Sequence, residues 1–339
     1  MAIYSYSAMD SHTLQRRRDQ RAEQRRRRAL RRRLLVVGTL AIVVIAAIVA
    51  IAGSGGSSPA SAPSASATGH VATAHRRPQH RAAFPARDGS AAGLGPVTGT
   101  PGRATVPILM YHVIAPPPPG APFPGLYVPQ PEFAAQMNAL KTAGWHPVTL
   151  DQLRSYWRHG ARLPGKPIVL TFDNGYLSQY THALPVLQRL HWVADENIQL
   201  SGLPPSQGGL TPPQVRALID AGWELDTQGI SHADLITLDA ARLHDEVATA
   251  RAILRRRYHV AVNWFCYPSG HYDPTVVAAV RAAGFVGSTT VVPGWAAPSG
   301  DAYRLPRLRV LSGTSPGALL AQIAAARGST AAPPAYGGA

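Results

Sequence analysis

The chain has 339 residues, 45% of them hydrophobic, and a formal net charge of +15. The apolar fraction is ample for a folded core, and a single cysteine, Cys266, excludes any intramolecular disulfide. The charge is segregated, and this argues against a nucleic-acid-binding chain: eleven arginines against Asp10, Asp19 and Glu23 put +8 in residues 1–33, five against Asp88 put +4 in 53–103, and only +3 remains for 104–339.

In chain order, the basic run ends at Arg31, Arg32 and Arg33, and residues 34–52 carry no charge or strongly polar side chain. At ~1.5 Å per residue this segment nearly spans a ~30 Å hydrocarbon core. Arginines just before it predict a cytoplasmic amino end, residues 1–33, and an exported remainder. A cleaved signal peptide competes with an uncleaved anchor, but the apolar stretch exceeds the ~7–15 residues of an h-region. The arginine run reads as a topology determinant, since no aromatic residue is interleaved between Arg16 and Arg33. The localisation expected is a single-pass bacterial plasma-membrane protein with its C-terminal domain outside. Residues 53–103, opening "GSGGSSPASAPSASATG", read as a flexible Gly/Ser/Pro/Ala linker, and 328–339 as a flexible tail.

Between them, residues 104–327 alternate strand and helix. Strands are expected at 106–114, 146–149, up to Phe172, in 192–200, at 223–228, 261–267, 285–291 and 305–310. Helices are expected over 131–144, from Asp151 as N-cap to His159, over 178–190, after Thr211-Pro212, over 238–257, after Asp273-Pro274 and over 315–326. Strands alternating with long helices give parallel βαβ units. The fold class predicted is α/β, a distorted (β/α) barrel of about seven strands, with a doubly wound open sheet as the competing architecture. In either, reactive groups gather at the carboxyl ends of strands.

Four strand ends carry such groups: His112 in "LMYHVI", Asp173 in "IVLTFDNGY", the run "LDTQGISHADL", and "FCYPSGHYD". Thr171-Phe172-Asp173-Asn174-Gly175, then Gln228 to His232, then Phe265-Cys266-Tyr267-Pro268-Ser269-Gly270 resemble, in that order, the three motifs of the NodB-like polysaccharide deacetylases, in the branch with M-Y-H and F-x-Y-P-x-G forms. The resemblance extends to "VPILMYH", "HADL" and "YRLPRLRV" and covers about residues 106–311.

The resemblance implies a hydrolase that removes acetyl groups from an N-acetylated polysaccharide, with Asp173 as general base, His112 as general acid and a divalent, zinc-like metal. The implied ligand positions hold Asn174, Gln228 and His232, so two of three ligands are neutral amides, and zinc should be held weakly or not at all. Asp226 projects to the same strand face as Gln228 and offers a substitute carboxylate; the bland alternative is that it bonds loop backbone or an arginine. Asp234 is another candidate. Tyr111, Tyr176, Tyr267, Pro268, Ser269 and Gly270 are candidates for a sugar groove, with core packing the equal alternative for tyrosines at strand ends. Cys266 reads as a small buried hydrophobe. The expected ligand is an N-acetylated or peptidoglycan-like envelope glycan. The alternative function is a catalytically impaired relative that binds cell-wall glycan or a partner.

Overall fold

The computed structural model describes residues 99–201, 203 and 208–327. The basic segment 1–33, the apolar segment 34–52, the linker up to residue 98 and the tail 328–339 lie outside the described residues. Among the described residues no helix is long and apolar enough to cross a membrane.

The strands are β1 (Val106–Tyr111), β2 (His146–Pro147), β3 (Pro167–Asn174), β4 (Asp195–Ile198), β5 (Glu224–Thr227), β6 (Trp264–Cys266), β7 (Gly287–Thr289), β8 (Trp295–Ala296) and β9 (Leu308–Arg309). They form one sheet in the order β7-β6-β5-β4-β3-β1-β8, with β2 beside β3 and β9 beside β1. All pairings are parallel except that of β8 with the start of β1. The sheet curls until its flanks nearly meet. Leu308 pairs with Leu109 of β1, while Leu305, three residues earlier, bridges to Thr289 of β7. The expected curled α/β sheet is present; β8, a two-residue strand, has too little periodicity to be read from sequence.

Helices α1 (Gln130–Thr142), α2 (Leu150–His159), α3 (Leu184–Leu190), α4 (Pro212–Asp220), α5 (Ala240–His244), α6 (Ala250–Tyr258), α7 (Pro274–Ala282) and α8 (Pro316–Ala326) complete the alternation. The expected helix 178–190 begins with a π turn at Gln179–Ala183, and another at Asp245–Thr249 joins α5 to α6. Asp151 is not the N-cap of α2. Thr149 caps it through a capping box with Gln152, and Asp151 sits in the first turn. Asp273 does cap α7, its Oδ1 accepting from the Val276 N–H at 2.8 Å.

Strand β3 shows how sequence sets the site. Ile168, Leu170 and Phe172 alternate outward, packing with Phe133, Met137, Leu140, Leu184 and Leu187 of the surrounding helices. Val169 turns inward to a plug of Val106, Ile108, Trp264 and Leu305, which α2 closes with Leu150, Leu153 and Trp157. Each such side chain contributes about 1.5–3 kcal/mol on burial, so the register that puts Thr171 and Asp173 inside is held by its apolar neighbours. Residues 99–103, expected as the end of the linker, are instead laid on α2. Gly99 N–H donates to His159 O at 3.2 Å and Gly102 N–H to Tyr156 O at 2.9 Å. Gly160 permits this approach: at φ +70°, a Cβ there would stand 2.4 Å from the Gly99 carbonyl carbon.

Candidate active site

Asp173 ends β3 with 1% of its surface exposed. Arg307, equally buried, grips it with both arms, Nη1 to Oδ1 at 2.8 Å and Nη2 to Oδ2 at 2.9 Å. The guanidinium is itself fixed, donating to Thr290 O at 2.8 Å, to Thr171 Oγ1 at 2.9 Å and to Cys266 Sγ at 3.2 Å. Asn197 of β4, beside Asp173 in register, donates Nδ2–H to Oδ1 at 2.9 Å. Burial alone would raise the Asp173 carboxyl, but the charge and hydrogen bonds of Arg307, with help from His112 and Asn197, hold it at about 2. Bidentate geometry of this kind keeps a buried carboxylate ionised.

His112, just beyond β1, places Nε2 3.8 Å from Asp173 Oδ2. Burial outweighs the attraction of Asp173 and, with Arg307, Arg309 and His232 repelling a second positive charge, lowers its pKa to about 4. The ring is neutral at physiological pH, and its buried Nδ1 has no partner among the described residues. Gln179, the first residue of the π turn, ties the two strand ends together by donating Nε2–H to His112 O at 3.0 Å and to Asp173 O at 2.8 Å.

Asn174 takes the left-handed conformation at φ +80° and donates Nδ2–H to Gln199 Oε1 at 2.7 Å. Gln228 follows β5, is 3% exposed, and its Oε1 is unpartnered. His232, at φ +56°, rides a loop held by Glu246, whose carboxylate accepts from the N–H groups of Ile230 and Ser231 at 2.8 and 2.9 Å and from the Ser231 hydroxyl. Burial lowers the His232 pKa against the opposing pull of Asp173 and Glu246. Asp173, His112 and His232 are thus within mutual electrostatic reach at one end of the sheet.

The model of the polysaccharide deacetylase family matches residues 160–288, which include the first two motifs and the third through Gly270. The match makes residues 160–288 polysaccharide deacetylase-like. The chain is 28% identical over 221 residues to the Bacillus subtilis protein YxkH, named for polysaccharide deacetylation, covering 65% of this chain and 76% of that one. It is 47% identical over 59 residues to the poly-beta-1,6-N-acetyl-D-glucosamine N-deacetylase of Escherichia coli, a match spanning 17% of this chain and 9% of the relative. In fold it is similar to the Streptococcus pyogenes deacetylase PplD in complex with acetate, with a TM-score of 0.61 at 24% identity over 66% of this chain and 99% of that one.

Members of the family are generally metal-dependent, but the donors present do not fit a tightly held zinc ion. Asn174 and Gln228 present neutral amides, the Asn174 side chain being oriented by its Nδ2–H bond to Gln199, and His232 is left as the one good ligand. Asp226 does not join it. Its Oδ1 accepts from the N–H groups of Trp264 and Asn263 at 2.8 and 3.2 Å, and its ligand atoms cluster instead with Asp195 and Glu224. Asp234 bonds His271 Nδ1 at 3.1 Å.

The tyrosine expectations divide. Tyr111 is fully buried, donates its hydroxyl to Gln136 Oε1 at 2.9 Å and stacks on Phe172, so it belongs to the layer between sheet and helices and not to a groove. Tyr267 is likewise core, 1% exposed and donating to Tyr303 O at 3.0 Å, and Pro268 and Gly270 are buried beside it. Ser269 is exposed, and Tyr176, next to Gly175, is partly exposed. Cys266 is buried as expected but faces polar groups: Sγ accepts from Arg307 and lies 3.6 Å from Asp173 Oδ2. Burial pushes its thiol up to about 12, with Arg307 opposing and Asp173 reinforcing the shift.

Arg307 and Asn197, which hold Asp173, were not among the sequence candidates. A signal existed for Arg307: it interrupts "LPRLRV", a run whose apolar residues predict a strand.

Proposed function

We propose that this chain is a membrane-anchored, extracytoplasmic glycan-recognition protein of the polysaccharide deacetylase family, binding an N-acetylated envelope polysaccharide at the strand ends around Asp173. The anchor is the apolar segment 34–52 and the reach is given by the linker that follows it. The observation that carries the reading is the donor set at Asn174 and Gln228. Metals in such hydrolases bring the pKa of bound water to near 7, against ~15.7 for bulk water. Asp173, held at about 2, is a weak base, and a metal that acidified the attacking water would have to be held by this donor set. What the pocket retains is a fixed anion, a neutral imidazole at His112, and amide groups suited to pairing with acetamido and hydroxyl groups of a sugar.

A second reading, metal-dependent N-deacetylation, is favoured by the intact Asp173, His112 and Arg307 constellation. The full-length protein incubated with chito-oligosaccharides or poly-N-acetylglucosamine, with and without Zn²⁺ or Co²⁺, separates the two. Retention on a glycan column with no acetate released supports recognition. Stoichiometric metal together with acetate release that Asp173→Asn abolishes would establish the hydrolase instead. Residence in the membrane fraction after high-salt washing tests the anchor; recovery of a soluble form lacking residues 1–52 would show cleavage.

A further inference from the structure

At the opposite end of β4 and β5 from the amides, the barrel interior holds three carboxylates on neighbouring strands. Asp195 and Glu224 are paired in register, Asp226 is two residues along from Glu224, and their ligand atoms lie within 4.8 Å of one another. Proximity alone carries little weight; the way each group is held carries more. Asp195 Oδ1 accepts from the Leu150 N–H at 2.9 Å, Glu224 Oε2 from the Asp151 N–H at 3.0 Å, and Asp226 Oδ1 from the Trp264 N–H at 2.8 Å. Every carboxylate is anchored through one oxygen to backbone, from α2 or β6. The other three oxygens, Asp195 Oδ2, Glu224 Oε1 and Asp226 Oδ2, are buried with no donor from outside the cluster and face one another across Glu224, and Asp195 and Asp226 are 0% exposed.

Three buried anions cannot stand together uncompensated. Among the described residues no lysine or arginine forms an ion pair with them. Arg251, whose charge reaches Asp226, donates Nε–H and Nη1–H to Val262 O and Ala283 O. Asp151 adds a fourth negative charge nearby, but both its oxygens are used, by Asn263 Nδ2 at 2.7 Å and Trp264 Nε1 at 3.0 Å. Satisfying the three oxygens with protons alone takes two, one on each side of Glu224, whereas one divalent cation satisfies all three at once.

We propose that Asp195, Glu224 and Asp226 form a binding site for one divalent cation of the hard, oxygen-preferring class, represented by Ca²⁺, which closes the amino end of the barrel. All-oxygen, anionic donors without imidazole or thiolate select calcium, magnesium or manganese over zinc. Glu224, partly exposed at the start of β5, gives the ion its way in. The site is separate from the strand-end amides and independent of the proposed glycan recognition.

The test uses full-length protein stripped with EDTA, then titrated with Ca²⁺, and separately with Tb³⁺ excited through tryptophan, since Trp264 abuts the cluster. One saturable Tb³⁺ site displaced by Ca²⁺ is expected, with Tm rising about 3–6 °C at Ca²⁺ ten times its Kd. Asp226→Asn, whose side-chain oxygen can still accept from Trp264, should weaken binding at least tenfold, as should Glu224→Gln, while His232→Ala leaves it unchanged. Absence of both sensitised emission and a Tm shift in the parent would overturn the site in favour of shared protons. Loss of Ca²⁺ binding in His232→Ala, with retention in the two acid variants, would overturn it by moving the ion to the other end of the sheet.

Discussion

Replacing Arg307 with methionine removes the partner of a carboxylate that is 1% exposed and leaves most of the volume filled. Breaking a buried pair on one side costs about 3–5 kcal/mol, and for a domain of this size each kcal/mol corresponds to about 2–4 °C in Tm, so Arg307→Met should melt roughly 6–20 °C below the parent. The pH dependence is the sharper readout. In the parent, Asp173 titrates at about 2 when folded against 3.8 when free. Its contribution, on the order of 2–3 kcal/mol, is therefore present above about pH 4 and lost as pH falls toward 2. In the variant burial dominates and the folded pKa lies above the free value. The sign then reverses, with stability greatest below about pH 4 and lost as pH rises. Asp195, Glu224 and Asp226, each raised by burial and by its neighbours' charge, titrate alike in both proteins, while His112 loses the repulsion of Arg307, so the difference between the two curves reports Asp173 together with His112. Thermal unfolding followed by circular dichroism from pH 2.5 to 7 measures it, and Asp173→Asn/Arg307→Met should recover at least half of the loss. A single variant within 2 °C of the parent, with a parallel pH curve, would refute the reasoning.

His112 should titrate at about 4 in the folded protein, so its contribution to stability fades as pH drops from about 6.5 to 4; an imidazole proton resonance with a midpoint above 6 contradicts this. Cys266, fully buried with its thiol pushed up to about 12, should resist iodoacetamide at pH 8 in the native protein and react fully in denaturant, which mass spectrometry reads cleanly because it is the one cysteine in the chain. Gly229→Ala places a Cβ 2.9 Å from Glu246 Oε2 at φ +87° and should cost about 1–3 kcal/mol, with faster amide exchange in residues 230–232. Asn174→Asp combined with Gln228→His supplies two zinc donors and should raise zinc affinity at least about 100-fold by competition titration; no gain would show that the loop geometry, and not the donor chemistry, excludes the ion.

The fold was legible where period and length agree. The alternation of β3, with Ile168, Leu170 and Phe172 on one side, set the register that delivers Asp173. The capping of α7 by Asp273 was likewise readable, because Pro274 follows at the first helical position. Two-residue strands such as β2, β8 and β9 carry no period of their own and form only because longer neighbours template them. The site was legible in its motif residues and not in what holds them. Arg307 interrupts an apolar run, but so does Arg309 two residues on, and the local pattern does not say which carboxylate, if any, it meets. Tyr111 and Tyr267 lie in strand-end motifs, yet their exposure depends on which helix covers them, which no local pattern specifies. Asp226 lies in β5 and Gln228 just beyond its end, but alternation gives only a face and not a height, and two residues along a curled sheet separate one cluster from another.

The grip of Arg307 reaches beyond Asp173. It sits just before β9 and reaches Thr290 after β7 and Thr171 in β3, so one side chain ties the β7 edge to the middle of the curled sheet across the interior. Asp173 is the counterpart of that tie, so the first-motif aspartate helps to hold the curled sheet together as well as standing in the site. Its presence alone therefore says little about catalysis, and Asn174 beside it is the more informative residue.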